Sequence, residues 1–226
     1  MHTFSQKLID LYSQNRNPET AVWAKKYMRD QYEFFGISSP ERKVLMKVFF
    51  AENLLPDYNE LQEIIEDLWN ASERELQYFA MTLPEKYKRR WGMEFVELIE
   101  FMVTNKSWWD TVDFIASHLA GSYFKKFPNM IEPKTTEWMQ SGNIWLQRVC
   151  IIFQLKYKKQ INENLLYSFC EEMKDSKEFF IQKAIGWALR EYSKTNPESV
   201  LAFVNETDLK PLSQREATRI IYKKIK

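Results

Sequence analysis

Three times in this chain a small polar residue is followed by proline and glutamate: Asn17-Pro18-Glu19, Ser39-Pro40-Glu41 and Asn196-Pro197-Glu198. Each run predicts the start of a helix, with Asn17, Ser39 and Asn196 as caps. The polar side chain satisfies free N–H groups, and proline loses nothing in a first turn that lacks N–H partners. Glutamate suits the positive end of the helix dipole. Pro56, Pro84, Pro128, Pro133 and Pro211 mark further boundaries. Only five glycines occur, and no segment alternates at period two for more than a few residues. Helices are therefore expected nearly end to end. The 45% hydrophobic content supports a packed core. No Gly-rich or Ser-rich linker interrupts the chain, so residues 1–226 read as one domain.

A second periodicity is superimposed on the helices. Gln77, Gln147 and Gln182 stand at intervals of 70 and 35 residues, each in an apolar helical run. The 35-residue shift also carries Asp113 to Arg148 and then to Lys183. A period of this length with two helices per unit predicts an α-solenoid. Equivalent positions of stacked units face one side, so Asp113, Arg148 and Lys183 are expected on one surface. Trp187 and Arg190 follow Lys183 on the same helical face, and Lys194 extends it by a turn.

Net charge is only +1, which argues against a strongly basic nucleic-acid binder. The distribution changes that reading. Residues 1–113 carry 14 Lys+Arg and 19 Asp+Glu, and residues 114–226 carry 18 and 12. A neutral total thus conceals a basic C-terminal half. Metal chemistry is not expected, because His2 and His118 belong to no spaced ligand cluster. No phosphate-binding glycine loop is present. No apolar run is long enough for a membrane span, and no signal-peptide pattern opens the chain. Cys150 and Cys170 lie in apolar helical settings, consistent with reduced thiols in a cytoplasmic protein.

The segment Asn105-Lys106-Ser107-Trp108-Trp109-Asp110-Thr111-Val112-Asp113 concentrates the chemistry. On a helix, Trp109 and Asp113 are four apart and share a face, whereas adjacent tryptophans diverge by about 100°. An acid beside an aromatic plate suits a positively charged reacting centre. Two plainer readings stand beside this one. The tryptophans can be core, and Asp113 can be a structural partner of Arg148. Asp110 suits the first turn of a helix. Lys156-Tyr157-Lys158-Lys159 reads either as a phosphate contact or as a solvated helix end. A Ser-His-Asp triad through His118 is not favoured.

At these residues the chain resembles the AlkD family of bacterial DNA alkylation-repair glycosylases, over almost its whole length. The resemblance rests on Lys106-Ser107-Trp108-Trp109-Asp110-Thr111-Val112-Asp113, Asn143-Ile144-Trp145-Leu146-Gln147-Arg148 and Phe153-Gln154-Leu155-Lys156-Tyr157-Lys158. It continues through the long run from Ser176 to Tyr192, then Thr195-Asn196-Pro197 and Pro211-Leu212-Ser213. The resemblance implies an all-α solenoid of HEAT-like repeats, curved around duplex DNA in a basic concave cleft. It implies hydrolysis of the N-glycosidic bond of positively charged N3- and N7-alkylated purines, without flipping the base into a pocket. Asp113 would be the catalytic carboxylate, with Trp109 and Trp187 flanking the lesion. Arg148, Arg190, Lys156, Lys183, Lys194, Ser39 and Lys43 would bind DNA. No cofactor or metal is implied, and a monomer acting on double-stranded DNA is expected. The chain departs from the family at Ser38-Ser39, where a Gln-Thr pair is common, and at Lys43, where arginine is common. The alternative is a non-catalytic HEAT-repeat protein that binds damaged or bent DNA; a protein-interaction scaffold is the third reading.

Overall fold

Asn17 and Asn196 cap their helices as expected, each accepting the N–H three residues on (3.1 and 3.2 Å). The third device is shifted by one residue. Ser38, not Ser39, is the N-cap, because Glu41 reaches back to the Ser38 N–H at 2.8 Å and closes a capping box there. Ser39 and Pro40 then occupy the first helical turn. The computed structural model describes residues 1–225. Among them no strand forms; an isolated parallel bridge pairs Glu33 with Glu73. The protein is all-α.

The chain divides into two compact units, Met1–Trp91 and Gly92–Lys226. The first contains α1 (Thr3–Gln14), α2 (Pro18–Tyr27), α3 (Ser39–Glu52), α4 (Leu61–Asn70) and α5 (Arg74–Ala80). Phe4, Phe49 and Phe79 knit α1, α3 and α5 together, with ring centroids 4.9–6.2 Å apart. The loop before α3 is held by the buried Glu75 carboxylate, which accepts the N–H groups of Phe35, Gly36 and Ile37 at 2.8–3.1 Å. Gly36 has φ +87°, and a Cβ there would lie 2.0 Å from the Asn17 carbonyl, so only glycine fits.

The second unit contains α6 (Phe95–Thr104), α7 (Trp109–Phe114), α8 (Gly121–Lys126), α9 (Ile131–Gln140) and α10 (Ile144–Ile152). It continues with α11 (Glu163–Glu172), α12 (Phe179–Tyr192), α13 (Pro197–Glu206), α14 (Pro211–Thr218) and α15 (Ile221–Ile225). A π-helical turn, Ile115–Ala120, joins α7 to α8. Helix α12 packs between α10 and α14. The core is aliphatic and aromatic, with Val112, Ile115, Phe124, Val149, Phe153, Ile185 and Leu189 fully buried. Both cysteines are buried free thiols, and burial pushes both thiol pKa values up. Among the described residues no helix is long and apolar enough to cross a membrane.

The glutamines of the sequence repeat share one task. Gln77 Nε2 donates to the carbonyls of Leu68, Trp69 and Ala71 at the end of α4 (2.9–3.1 Å). Gln147 Nε2 donates to Met139 near the end of α9, and Gln182 Nε2 to Ser176 ahead of α12 (3.0 and 3.1 Å). Each satisfies carbonyls on the segment that precedes its own helix, where helix ends lack internal partners. Within Gly92–Lys226 the period reappears as side-chain bonds. Lys134–Glu100, Arg148–Asp113, Tyr157–Gly121 and Lys183–Glu216 span 34, 35, 36 and 33 residues. Each ties one helix pair to the next.

Candidate active site

Helix α7 is short, and its first residue is Trp109. Trp108 is the N-cap and is extended (φ −156°, ψ 161°). The divergence of the two indoles thus comes from a helix boundary, not from a helical rotation between them. Trp108 is half-buried and packs against Trp145 and Phe180 (ring centroids 5.8 and 5.1 Å), outside the lining of the cleft that Trp109 enters. Trp109 and Asp113 share a face of α7, one turn apart. The π turn begins two residues after Asp113, and Ser117 Oγ donates to the Asp113 carbonyl at 2.8 Å. Such turns are frequent at functional sites. Asp110 occupies the first turn of α7, as expected from the helix dipole.

Trp109, Asp113, Arg148, Phe179, Phe180, Lys183, Trp187 and Arg190 line one cleft of about 270 Å³. Elements α7, α10 and α12 therefore bring together the acid, the two tryptophans and three of the cations picked out in the sequence. Phe179 and Phe180 were not anticipated. Their signal was present in the repeat, since Phe180 lies 35 residues after Trp145 and the two rings stand 5.0 Å apart.

The Asp113 carboxylate is held in a fork. Arg148 Nε donates to Oδ1 at 2.7 Å and Nη2 to Oδ2 at 2.9 Å. Arg148 Nη1 donates to the Phe180 carbonyl. Side-chain exposure is 5% for Arg148 and 18% for Asp113. Arg148 thus makes three bonds within the protein, as the plainer sequence reading allowed, and also lines the cleft. Burial pushes the Asp113 carboxyl above its ordinary value, Arg148 pulls it back, and the nearby Asp110 charge adds to the rise. The carboxylate is positioned rigidly and is a better proton acceptor than a solvated aspartate.

A second carboxylate, absent from the sequence reading, controls the other wall. Glu216 on α14 accepts Lys183 Nζ at 2.9 Å, and its other oxygen accepts Arg190 Nη1. The Lys183 bond, with help from Arg190, holds the Glu216 carboxyl below its ordinary value, against the effect of burial. Helix α14 can come this close because residue 186 is glycine. A Cβ there would lie 2.5 Å from the Glu216 Cβ and 3.0 Å from the Ser213 carbonyl. The cleft therefore carries three cations, with two carboxylates bonded to them.

The remaining candidates lie elsewhere. Helix α12 ends at Tyr192, so Lys194 is beyond the helical face it was expected to extend. It pairs with Glu191 and lines a separate apolar pocket with Lys158 and Lys159. Lys156 is exposed and its ammonium meets His118 Nε2. His118 stacks on Phe114 with centroids 4.0 Å apart and turns Nδ1 toward Ser117 and the Phe114 carbonyl. With Asp113 on Arg148, no Ser-His-Asp relay is assembled. Ser39 and Lys43 are exposed on α3 of the other unit. Among the described residues no group of three or more His, Cys, Asp or Glu is placed to hold a metal ion.

A family model described as DNA alkylation repair enzyme matches residues 8–221. Among solved structures, the chain is similar to a predicted DNA alkylation repair enzyme from Enterococcus faecalis. The TM-score is 0.85 at 36% identity, over 92% of this chain and 97% of that one. No curated protein gives a match.

Proposed function

The chain belongs to the DNA alkylation repair enzyme family, and we propose that it is a monofunctional glycosylase that releases positively charged N3- and N7-alkylpurines from duplex DNA. The observation that carries this reading is the Asp113 carboxylate, fixed by Arg148 in one cleft with Trp109 and Trp187.

A cationic alkylpurine needs no general acid. The C1′–N bond breaks with its electron pair going to the base, which leaves neutral, and the sugar becomes oxocarbenium-like. Asp113 stabilises that charge by its field. Its raised pKa suits it to accept the proton of the water that attacks C1′. Indole faces beside the developing cation contribute about 0.5–2 kcal/mol each. The reaction is proposed to act on the sugar of a nucleotide that is not flipped into a pocket. Arg148, Lys183 and Arg190 are the cleft's candidates for backbone phosphates, with Lys156, Lys194, Ser39 and Lys43 as contacts outside it. The reading places a monomer in the cytoplasm, where its DNA substrate lies.

The test is single-turnover release of 7-methylguanine and 3-methyladenine from methylated duplex. Wild type should release both. A wild-type protein that binds the duplex and releases neither overturns the glycosylase reading in favour of a non-catalytic binder.

A further inference from the structure

We infer that Glu216 restrains duplex binding: it is a built-in carboxylate that occupies Lys183 and Arg190 until a DNA phosphate displaces it. The inference rests on the duplex-binding part of the function proposed above. It concerns duplex affinity and not the chemistry at Asp113.

Lys183 and Arg190 line the cleft beside Trp187, and both point their charge at one carboxylate. Glu216 is only 12% exposed and remains ionised, since both cations hold its pKa down. Its Cβ is seated against Gly186, the neighbour of Trp187, which keeps the side chain's base at the cleft while its carboxylate can turn. A phosphate approaching these two cations must therefore replace an existing acceptor. An alternative partner for Glu216 is at hand. Arg219 Nη1 lies 3.8 Å from Oε2 and its side chain is 58% exposed. Glu216 can pass from Arg190 to Arg219 when phosphate takes its place, without being left unpaired. The exchange costs part of the phosphate's electrostatic gain. Undamaged and lesion-bearing duplexes bear that cost alike, since each meets Lys183 and Arg190 through its backbone. Glu216 thereby lowers duplex affinity as a whole, whatever the sequence.

The experiment measures binding of a short labelled undamaged duplex, and of the same duplex carrying 7-methylguanine, against salt concentration. The proteins are wild type, Glu216→Gln and Glu216→Asp. Glu216→Gln should bind undamaged duplex about fivefold more tightly, the worth of one partly exposed ion pair. The methylated duplex should tighten by the same factor, and the log Kd–log salt slope should stay near wild type, because the same phosphates are contacted once Glu216 is displaced. Glu216→Asp keeps the charge and should stay near wild type in affinity. Unchanged or weaker binding by Glu216→Gln overturns the inference, leaving Glu216 as a brace between α12 and α14. A slope steeper by about one unit per cation overturns it as well, because Lys183 and Arg190 would then stay blocked in the wild-type complex. Identical behaviour of the two variants overturns it too, because shape would then matter and charge would not. Release of methylated purine is scored separately. A protein with the Glu216 effect and no release refutes the glycosylase reading alone.

Discussion

Replacing Asp113 by asparagine changes charge while keeping shape, and the structure sets what that should cost. The native carboxylate accepts two charge-assisted bonds from Arg148, at 2.7 and 2.9 Å. An amide can accept one of them, but its NH₂ group turns donor against donor at the other. The Arg148 guanidinium, 4% exposed as a residue, is then left with one amide oxygen and the Phe180 carbonyl for its charge. Removing one partner of a buried pair costs about 3–5 kcal/mol, and the surviving bond puts this case near 3 kcal/mol. A domain with about 5–15 kcal/mol of stability stays folded under that loss. The rate effect is separate: deleting a preorganised electrostatic group lowers turnover by about 10²–10³-fold. Denaturant unfolding and single-turnover release of 7-methylguanine measure the two quantities. The double variant Asp113→Asn with Arg148→Met distinguishes them. Without either charge, stability should return by about 1–2 kcal/mol relative to Asp113→Asn, and activity should not return. Full activity in folded Asp113→Asn refutes the mechanism. Unchanged stability in that variant refutes the claim that this pair fastens α7 to α10.

Three further outcomes are expected. Because burial raises the Asp113 carboxyl above its ordinary value, activity should fall on acidification at a higher pH than for a solvated aspartate. Arg148→Met removes the opposing guanidinium and should move that acid limb to higher pH in a pH–rate profile; movement downward contradicts the assignment. Gly186→Ala should destabilise by about 1–2 kcal/mol net, since overpacking against Glu216 and Ser213 outweighs the gain in helix propensity; thermal melts give the sign. Gln77→Leu should cost about 1–2 kcal/mol in denaturant unfolding, since its two N–H groups are shared among three carbonyls and its buried Oε1 has no partner to lose, and Gln182→Leu about 1 kcal/mol or less.

The helices were legible because their signals are local. Asn17, Asn196 and the prolines act on neighbouring backbone groups, and among these three capping devices the Ser38–Ser39 choice alone needed the structure, since both serines can cap and Glu41 selects between them. The 35-residue shift was legible for a different reason. Equivalent positions of successive helix pairs bond to one another, so Asp113 and Arg148, first aligned by arithmetic, meet as an ion pair. That alignment failed at Lys194, because extrapolating a helical face assumes the helix continues, and α12 stops at Tyr192.

Glu216 was out of reach for a deeper reason. Counting charge by sequence halves treats every Lys and Arg as available, and it assigned a basic character to residues 114–226. The excess is real, yet the cations lining the cleft are already engaged: Arg148 by Asp113, and Lys183 with Arg190 by Glu216. The partner that engages the last two comes from α14, brought within reach through a single glycine on α12. Helix-to-helix approach is set by volume at the contact, which charge patterning does not report. The two carboxylates then do opposite things with similar chemistry. Asp113 is fastened to a buried arginine and keeps its charge directed at one place. Glu216 is bonded to half-buried cations, with a third 3.8 Å away, and can be exchanged. A fixed negative charge is what a cationic transition state requires, and a displaceable one is what makes a phosphate compete for its site. The cleft has one of each, so electrostatics that serve the reaction and electrostatics that restrain binding are carried by separate residues, and single substitutions at Asp113 and Glu216 should alter rate and duplex affinity independently.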